Sequence, residues 1–184
     1  MMCVWRFIIF FNFIYSYMIN VRKSAGGIHM VSLVNNGKWA PLIGELFLTF
    51  GSIEMAVQKC IKQWTTNVIY EHVKKDNLSK RIDLLVNLVK AQDCSDSNKA
   101  ILVSNLRSIK KLLEVRNTIA HSPLMLLIFQ EGNVVEAITS SVNDEHYIEI
   151  HELETHVINI GKLYDEFISS LANIKMENSS FPMI

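Results

Sequence analysis

The chain has 184 residues, with 18 Lys plus Arg balanced by 18 Asp plus Glu, 49% apolar residues, and only 7 Gly and 3 Pro. This composition argues against a disordered chain, a collagen-like repeat, a disulfide-stapled miniprotein, or a basic protein held on nucleic acid by bulk charge. The length suits one domain, and the scarcity of breakers predicts long helices.

The chain opens on a strongly apolar, aromatic stretch, MMCVWRFIIFFNFIYSYMI. Its uncharged run from Phe7 to Val21 is shorter than the roughly 20 residues that span a bilayer. Trp5, Tyr15 and Tyr17 suit interfaces, and Arg22 and Lys23 suit a cytoplasmic end. A signal peptide fits less well, with Arg6 as the basic residue at its front and a weak small-residue site around Ser24-Ala25-Gly26. Ala25-Gly26-Gly27 offers another reading, because the codons GCA GGA GGN contain AGGAGG, the bacterial ribosome-binding sequence, shortly before Met30. On that reading translation of a bacterial gene starts at Met30 and residues 1–29 are upstream DNA read in frame; the competing reading is a membrane anchor. Residues 30–40 are expected to be a linker.

From Pro41 to Tyr70 the apolar positions Leu46, Phe50, Ile53, Val57, Cys60 or Ile61, Trp64 and Val68 step by threes and fours, which predicts one long amphipathic helix with Pro41 in its first turn. Lys74 to Asn77 is a polar break. A second helix follows, with Asn77 or Ser79 as N-cap and Leu78, Ile82, Leu85 and Val89 as its stripe. Asp93 to Asn98 reads as a loop. The third helix is expected from Ser97 or Asn98 to His121, where Pro123 disfavours helical geometry at Ser122. Its stripe is Leu102, Leu106, Ile109 and Leu113, and the same alternation continues to Arg116 and Ala120.

Three short strands are expected next: a buried run at Leu124–Phe129, then Val134–Thr139 after a turn at Glu131-Gly132-Asn133, then His146–Ile150. A last helix begins near Glu149 to Glu152 and carries Leu153, Val157, Ile160, Leu163, Phe167 and Leu171. The tail after Ile174 is polar and expected to fray. Four single-stripe helices bury one another most simply as an antiparallel four-helix bundle, with a small β-hairpin inserted before the last helix.

Cys3, Cys60 and Cys94 are scattered, odd in number and without metal spacing, which predicts reduced thiols in a reducing compartment and a cytoplasmic location. His146, His151 and His156 step by five, which matches no zinc pattern. Glu45 and Glu54 read as solvated helix charges, Gly26-Gly27 and Gly51 make no phosphate loop, and neither cofactor nor metal is expected. Charge is uneven along the chain. Residues 58–116 hold 12 basic against 6 acidic side chains, and residues 131–177 hold 2 against 10. One basic face could meet RNA, or the two halves could attract each other within the bundle or across a dimer.

The most unusual stretch is Arg116-Asn117-Thr118-Ile119-Ala120-His121. Arg116 falls where the stripe would want Leu, and a buried guanidinium demands an anion, a partner chain or a solvent-filled cleft. Asn117 and His121 share a helix face, and the helix C-terminus favours the imidazolium form. An arginine fork beside a titratable imidazole is the minimum set for phosphodiester chemistry. The same residues also suit a plainer role, with Arg116 snorkelling out at the bundle end and His121 capping the helix.

The segment KLLEVRNTIAHSP (Lys111–Pro123) resembles the signature of the HEPN superfamily: Arg, a polar residue often Asn, a short spacer, then His near the end of a late helix. IGELFLTFGSIEMAVQ (Ile43–Gln58) and LSKRIDLLVNLV (Leu78–Val89) resemble the first two helices of bacterial HEPN-like proteins, so the likeness covers roughly Leu42 to Leu171. The following Ser122-Pro123-Leu124-Met125 lacks the small or aromatic residues of many relatives. The resemblance implies a HEPN-like domain over residues 41–174 and a metal-independent endoribonuclease acting as a homodimer with both motifs facing one cleft. It implies that Arg116 stabilises charge on the scissile phosphate, that His121 is general base or acid, and that Asn117 orients His121 or the phosphate. RNA would be substrate through its own 2′-hydroxyl, in a toxin–antitoxin setting with a cognate antitoxin or in phage defence. Other members are non-catalytic modules that bind a protein or nucleotide partner, and a membrane enters only if residues 1–29 are translated.

Overall fold

The computed structural model describes residues 36–128, 134–139 and 147–178. The expectations for residues 1–35, Phe129, the Glu131–Asn133 turn, His146 and the last six residues lie outside the described residues, as does Cys3.

The order is α1 (Asn36–Trp64), α2 (Asn67–Val73), α3 (Leu78–Lys90), α4 (Asp96–His121), β1 (Leu124–Ile128), β2 (Val134–Thr139), β3 (Tyr147–Glu149) and α5 (Ile150–Asn178). The chain is mostly helical, with one small three-stranded antiparallel sheet in the order β1-β2-β3. Leu124 pairs with Ile138 and Ile128 with Val134 across β1 and β2, and Ala137 pairs with Glu149 across β2 and β3.

α1 begins earlier than expected. Asn36 to Ala40 belong to the helix rather than to a linker, because Trp39 is fully buried and its indole Nε1 donates to Glu136 on β2 at 3.2 Å. α1 also stops earlier, at Trp64. Thr65 turns its hydroxyl back onto the Ile61 carbonyl at 2.6 Å, and Thr66 takes an extended conformation whose side chain accepts from the Ile69 amide as the N-cap of α2. α2 then folds back along α1, fixed by the Gln58 amide donating to the Tyr70 hydroxyl at 2.9 Å.

That reversal decides the arrangement of the long helices. α3 starts beside the middle of α1, where Arg81 bonds Glu54, so Glu54 is an ion-pair partner rather than a solvated charge. α4 runs against α3, with Lys110 on Asp83, and against α5, with Asn98 on Glu177 and Asn105 on Ser170. The start of α1 is tied to β2 by Trp39, and β3 on the other edge of β2 feeds α5, so α1 and α5 run in the same direction. α4 therefore opposes α1, α3 and α5, which differs from the up-down alternation expected of an antiparallel bundle. The cause is α2, which restores the chain's direction before α3.

The core joins all four long helices through Leu46, Phe50, Ile53 and Val57 of α1, Ile82, Leu85 and Val89 of α3, Leu102, Leu106 and Ile109 of α4, and Leu153, Ile160, Phe167 and Ile174 of α5. Ala137, Ile138 and Ile148 close it at the sheet end. β1 is not the buried strand expected from its composition, since Met125 and Leu126 are exposed. α5 continues past Ile174 to Asn178, so residues 175–178 are helical. Gly37–Trp64 is long and apolar enough to cross a membrane by length and composition. In the fold, its Leu46–Phe50–Ile53–Val57 stripe is core.

Candidate functional site

The C-terminal turn of α4 is set by the sequence that follows it. Ser122 adopts φ −121° and ψ 139°, the extended geometry that a following proline enforces, so the helix ends at His121 as expected. The buried stripe arrives by Leu113 and then Ile119; Ala120, expected on the stripe, is exposed. The final step is three residues rather than four, and this rotation leaves Arg116 at the margin of the core, half-buried.

Arg116 resolves its desolvation without an anion. Its guanidinium carbon lies 5.5 Å from the centre of the Phe47 ring on α1, and its Nη1 donates to Asn117 Oδ1 at 3.1 Å. A flat, weakly hydrated cation is well suited to an aromatic face. The guanidinium has five N–H donors, so this leaves most of the fork available to a ligand. Asn117 and His121 are both exposed and lie one turn apart on one face of α4. The structure thus brings Arg116 and Asn117 into contact. The carbonyl of Asn117 is taken by Arg116 rather than by the His121 ring, which stands at the helix end.

Phe47 is the member of this group that sequence reasoning missed. It lies in the segment that carries the family resemblance, yet nothing in its spacing marks it apart from core residues. The contact joins two helices distant in sequence.

The histidines do not converge among the described residues. His151 is exposed beside Glu149, with Nδ1 to Oε2 at 3.5 Å, whereas His156 is half-buried on α5. Among the described residues, no group of three or more His, Cys, Asp or Glu is placed to hold a metal ion. Cys60 and Cys94 are free thiols. Burial pushes the Cys60 thiol above its ordinary range, partly opposed by Lys175, so it is a core residue rather than a nucleophile. Glu45 is exposed.

A concave feature lies elsewhere, on α4 and the end of α3. Lys90, Asp96, Lys99, Val103, Ser104, Arg107, Ser108 and Lys111 line an open groove of about 680 Å³. In comparisons with known proteins, no family model matches this chain, and neither a curated protein nor a solved structure matches it.

Proposed function

We propose that the chain is a HEPN-type, metal-independent endoribonuclease whose site is the last turn of α4. The observation that carries this reading is the placement of Arg116, Asn117 and His121 within the last turns of α4: a guanidinium held half-buried by Phe47 and Asn117, and an exposed imidazole one turn after Asn117 at the helix C-terminus.

The chemistry this supports is transesterification within RNA. The ribose 2′-hydroxyl attacks the adjacent phosphorus, the bond from phosphorus to the 5′-oxygen breaks, and a 2′,3′-cyclic phosphate and a 5′-hydroxyl result. His121 takes the 2′-proton or returns a proton to the departing 5′-oxygen. Arg116 stabilises the negative charge that develops on the non-bridging oxygens. One imidazole cannot serve as base and acid in the same step, so the reading includes a homodimer whose two α4 ends share a cleft. DNA, lacking the 2′-hydroxyl, is not cut.

A second reading is a non-catalytic helical module that binds a protein or nucleotide partner. It is favoured by the engagement of Arg116 with Phe47 and Asn117, which gives the arginine a structural reason to be there. Incubation of purified wild type and His121→Ala with mixed-sequence RNA in EDTA separates the two. Cleavage by wild type with cyclic phosphate ends, reduced about 10²–10⁴-fold in the variant, supports the ribonuclease. Intact RNA with a folded wild type supports the binding module.

A further inference from the structure

We infer that the groove on the outer side of α4 is a binding site for the phosphate backbone of single-stranded RNA, separate from the reacting turn; that RNA is its ligand rests on the reading of the chain as a ribonuclease. Four cations line the groove, Lys90 from the last turn of α3 and Lys99, Arg107 and Lys111 from α4, against one carboxylate, Asp96. Asp96 is fully exposed and lies 3.7 Å from Lys99, a loose pairing that an incoming phosphate can displace. Arg107 and Lys111 are exposed. Lys110, next to them in sequence, is held by Asp83 at 2.6 Å and stays outside the groove lining.

Geometry favours a chain of phosphates over a compact anion. Lys99 and Lys111 are separated by about 18 Å along the helix axis, so their charges cannot converge on one small ligand. Between them stand the hydroxyls of Ser104 and Ser108. Cations with interspersed hydroxyls are the side chains that contact phosphate and sugar oxygens. The apolar part of the lining is Ala100 and Val103, without the aromatic or large aliphatic anchor that the centre of a protein interface needs.

The groove also points along α4 toward the candidate site. Arg107 and His121 are fourteen positions apart, which returns to nearly the same side of an α-helix after about 21 Å. A strand lying in the groove and continuing along α4 reaches the exposed Asn117–His121 face. Glu114 on the same side is an exposed carboxylate, and it would bend the strand's path away from the helix surface there.

The test uses the full chain and a fluorescent oligouridylate whose riboses are 2′-O-methylated, so that the proposed cleavage cannot occur. Binding is measured against salt for wild type, for Arg107→Ala/Lys111→Ala, and for Lys162→Ala on α5 as a control that removes a charge outside the groove. Wild type and the Lys162 variant are expected to bind alike. The double variant is expected to bind at least tenfold more weakly in 100 mM salt, and the slope of log affinity against log salt is expected to fall by about 1.4, the loss of two single-strand phosphate contacts. Its thermal melt is expected to match wild type, because both side chains are solvent-exposed. Absence of binding by wild type, or an unchanged affinity and slope in the double variant, overturns the groove. A changed sedimentation behaviour of the double variant with unchanged oligonucleotide affinity also overturns it, since the groove then holds a protein. Failure of the ribonuclease reading is distinguishable: unmodified RNA stays intact while groove-dependent binding of the methylated strand persists.

Discussion

Arg116 lies over the ring of Phe47, with 5.5 Å between the guanidinium carbon and the ring centre, and this contact couples the last turns of α4 to the first half of α1. The same arginine donates to Asn117, so an element of the candidate site is also an element of helix packing. Replacing Phe47 by Leu keeps apolar volume and removes the aromatic face. In a double-mutant cycle with Arg116→Met, denaturant unfolding is expected to show a coupling of about 0.5–1 kcal/mol, the range for a cation on an exposed or half-exposed ring. A coupling near zero would mean that the ring only occupies space beside the arginine. If Arg116 also acts on RNA, Phe47→Leu should lower cleavage while leaving the oligonucleotide affinity of the α4 groove unchanged.

The bond between Arg81 and Glu54 is a different kind of ion pair. The Arg81 side chain is 6% exposed and that of Glu54 is 42% exposed, so one partner is committed to the interior and the other is partly solvated. Removing the carboxylate leaves a buried cation without its counter-charge. Glu54→Ala is expected to cost about 2 kcal/mol, less than the loss for a fully buried pair because water already reaches Glu54. Arg81→Met with Glu54→Leu removes both charges and should recover much of that loss. Urea denaturation of the single and double variants checks the order, and a double variant no better than Glu54→Ala would refute the desolvation argument.

What was legible in the sequence divides by the range of the interaction. Asn77 caps α3 through its side chain onto the Lys80 amide, Pro123 ends α4 at His121, and β2 spans Val134–Thr139 as expected, each from signals within a few residues. The break after Trp64 was hidden because Thr65 and Thr66 are neither Gly nor Pro, and Val68 continues the apolar spacing although it is exposed. The choice of Ile119 over Ala120 could not be made from periodicity, since steps of three and four are both helical. At the candidate site, type and spacing single out Arg116, Asn117 and His121 as candidates. They do not single out Phe47, because its role comes from the packing of α1 on α4. The basic balance of residues 58–116 was visible, but its concentration into one groove depends on the end of α3 meeting the start of α4.

Asn105 and Ser170 form a buried polar contact between α4 and α5, with Asn105 Nδ2 donating to Ser170 Oγ at 3.3 Å and that hydroxyl donating to the Phe167 carbonyl at 2.9 Å. The two deletions are unequal in consequence. Asn105→Ala leaves the Ser170 hydroxyl bonded to Phe167, so its cost comes mainly from lost packing and one hydrogen bond, about 1 kcal/mol. Ser170→Ala strands the Asn105 amide in the interior, which costs about 1–3 kcal/mol although fewer atoms are removed. Denaturant midpoints are expected to rank wild type above Asn105→Ala and Asn105→Ala above Ser170→Ala. The reverse order of the two variants would show that the amide finds a partner after relaxation.

Glu177 joins the end of α5 to the start of α4. Its carboxylate accepts from the Ser95 amide at 2.9 Å, from the Ser95 hydroxyl at 3.0 Å and from the Asn98 side chain at 2.8 Å. The backbone hydrogen bond from Ser95, with the two side-chain bonds added, holds the Glu177 carboxyl below its ordinary value of 4.5. A carboxyl whose folded pKa is depressed binds its proton more readily in the unfolded chain. Its contribution is therefore present above the unfolded value and is lost as the pH falls from 4.5 through the lowered folded value. Because the group is fully exposed, the effect should shrink in high salt. Glu177→Gln keeps the side-chain shape and removes the charge. Amide hydrogen exchange at Ser95 is expected to be faster in the variant than in wild type at pH 6, after correction for intrinsic exchange. In urea unfolding, the stability gap between the two proteins should close as the pH falls toward 3. A gap that stays constant with pH would show that the clamp works through shape alone, with no contribution from the ionised carboxylate.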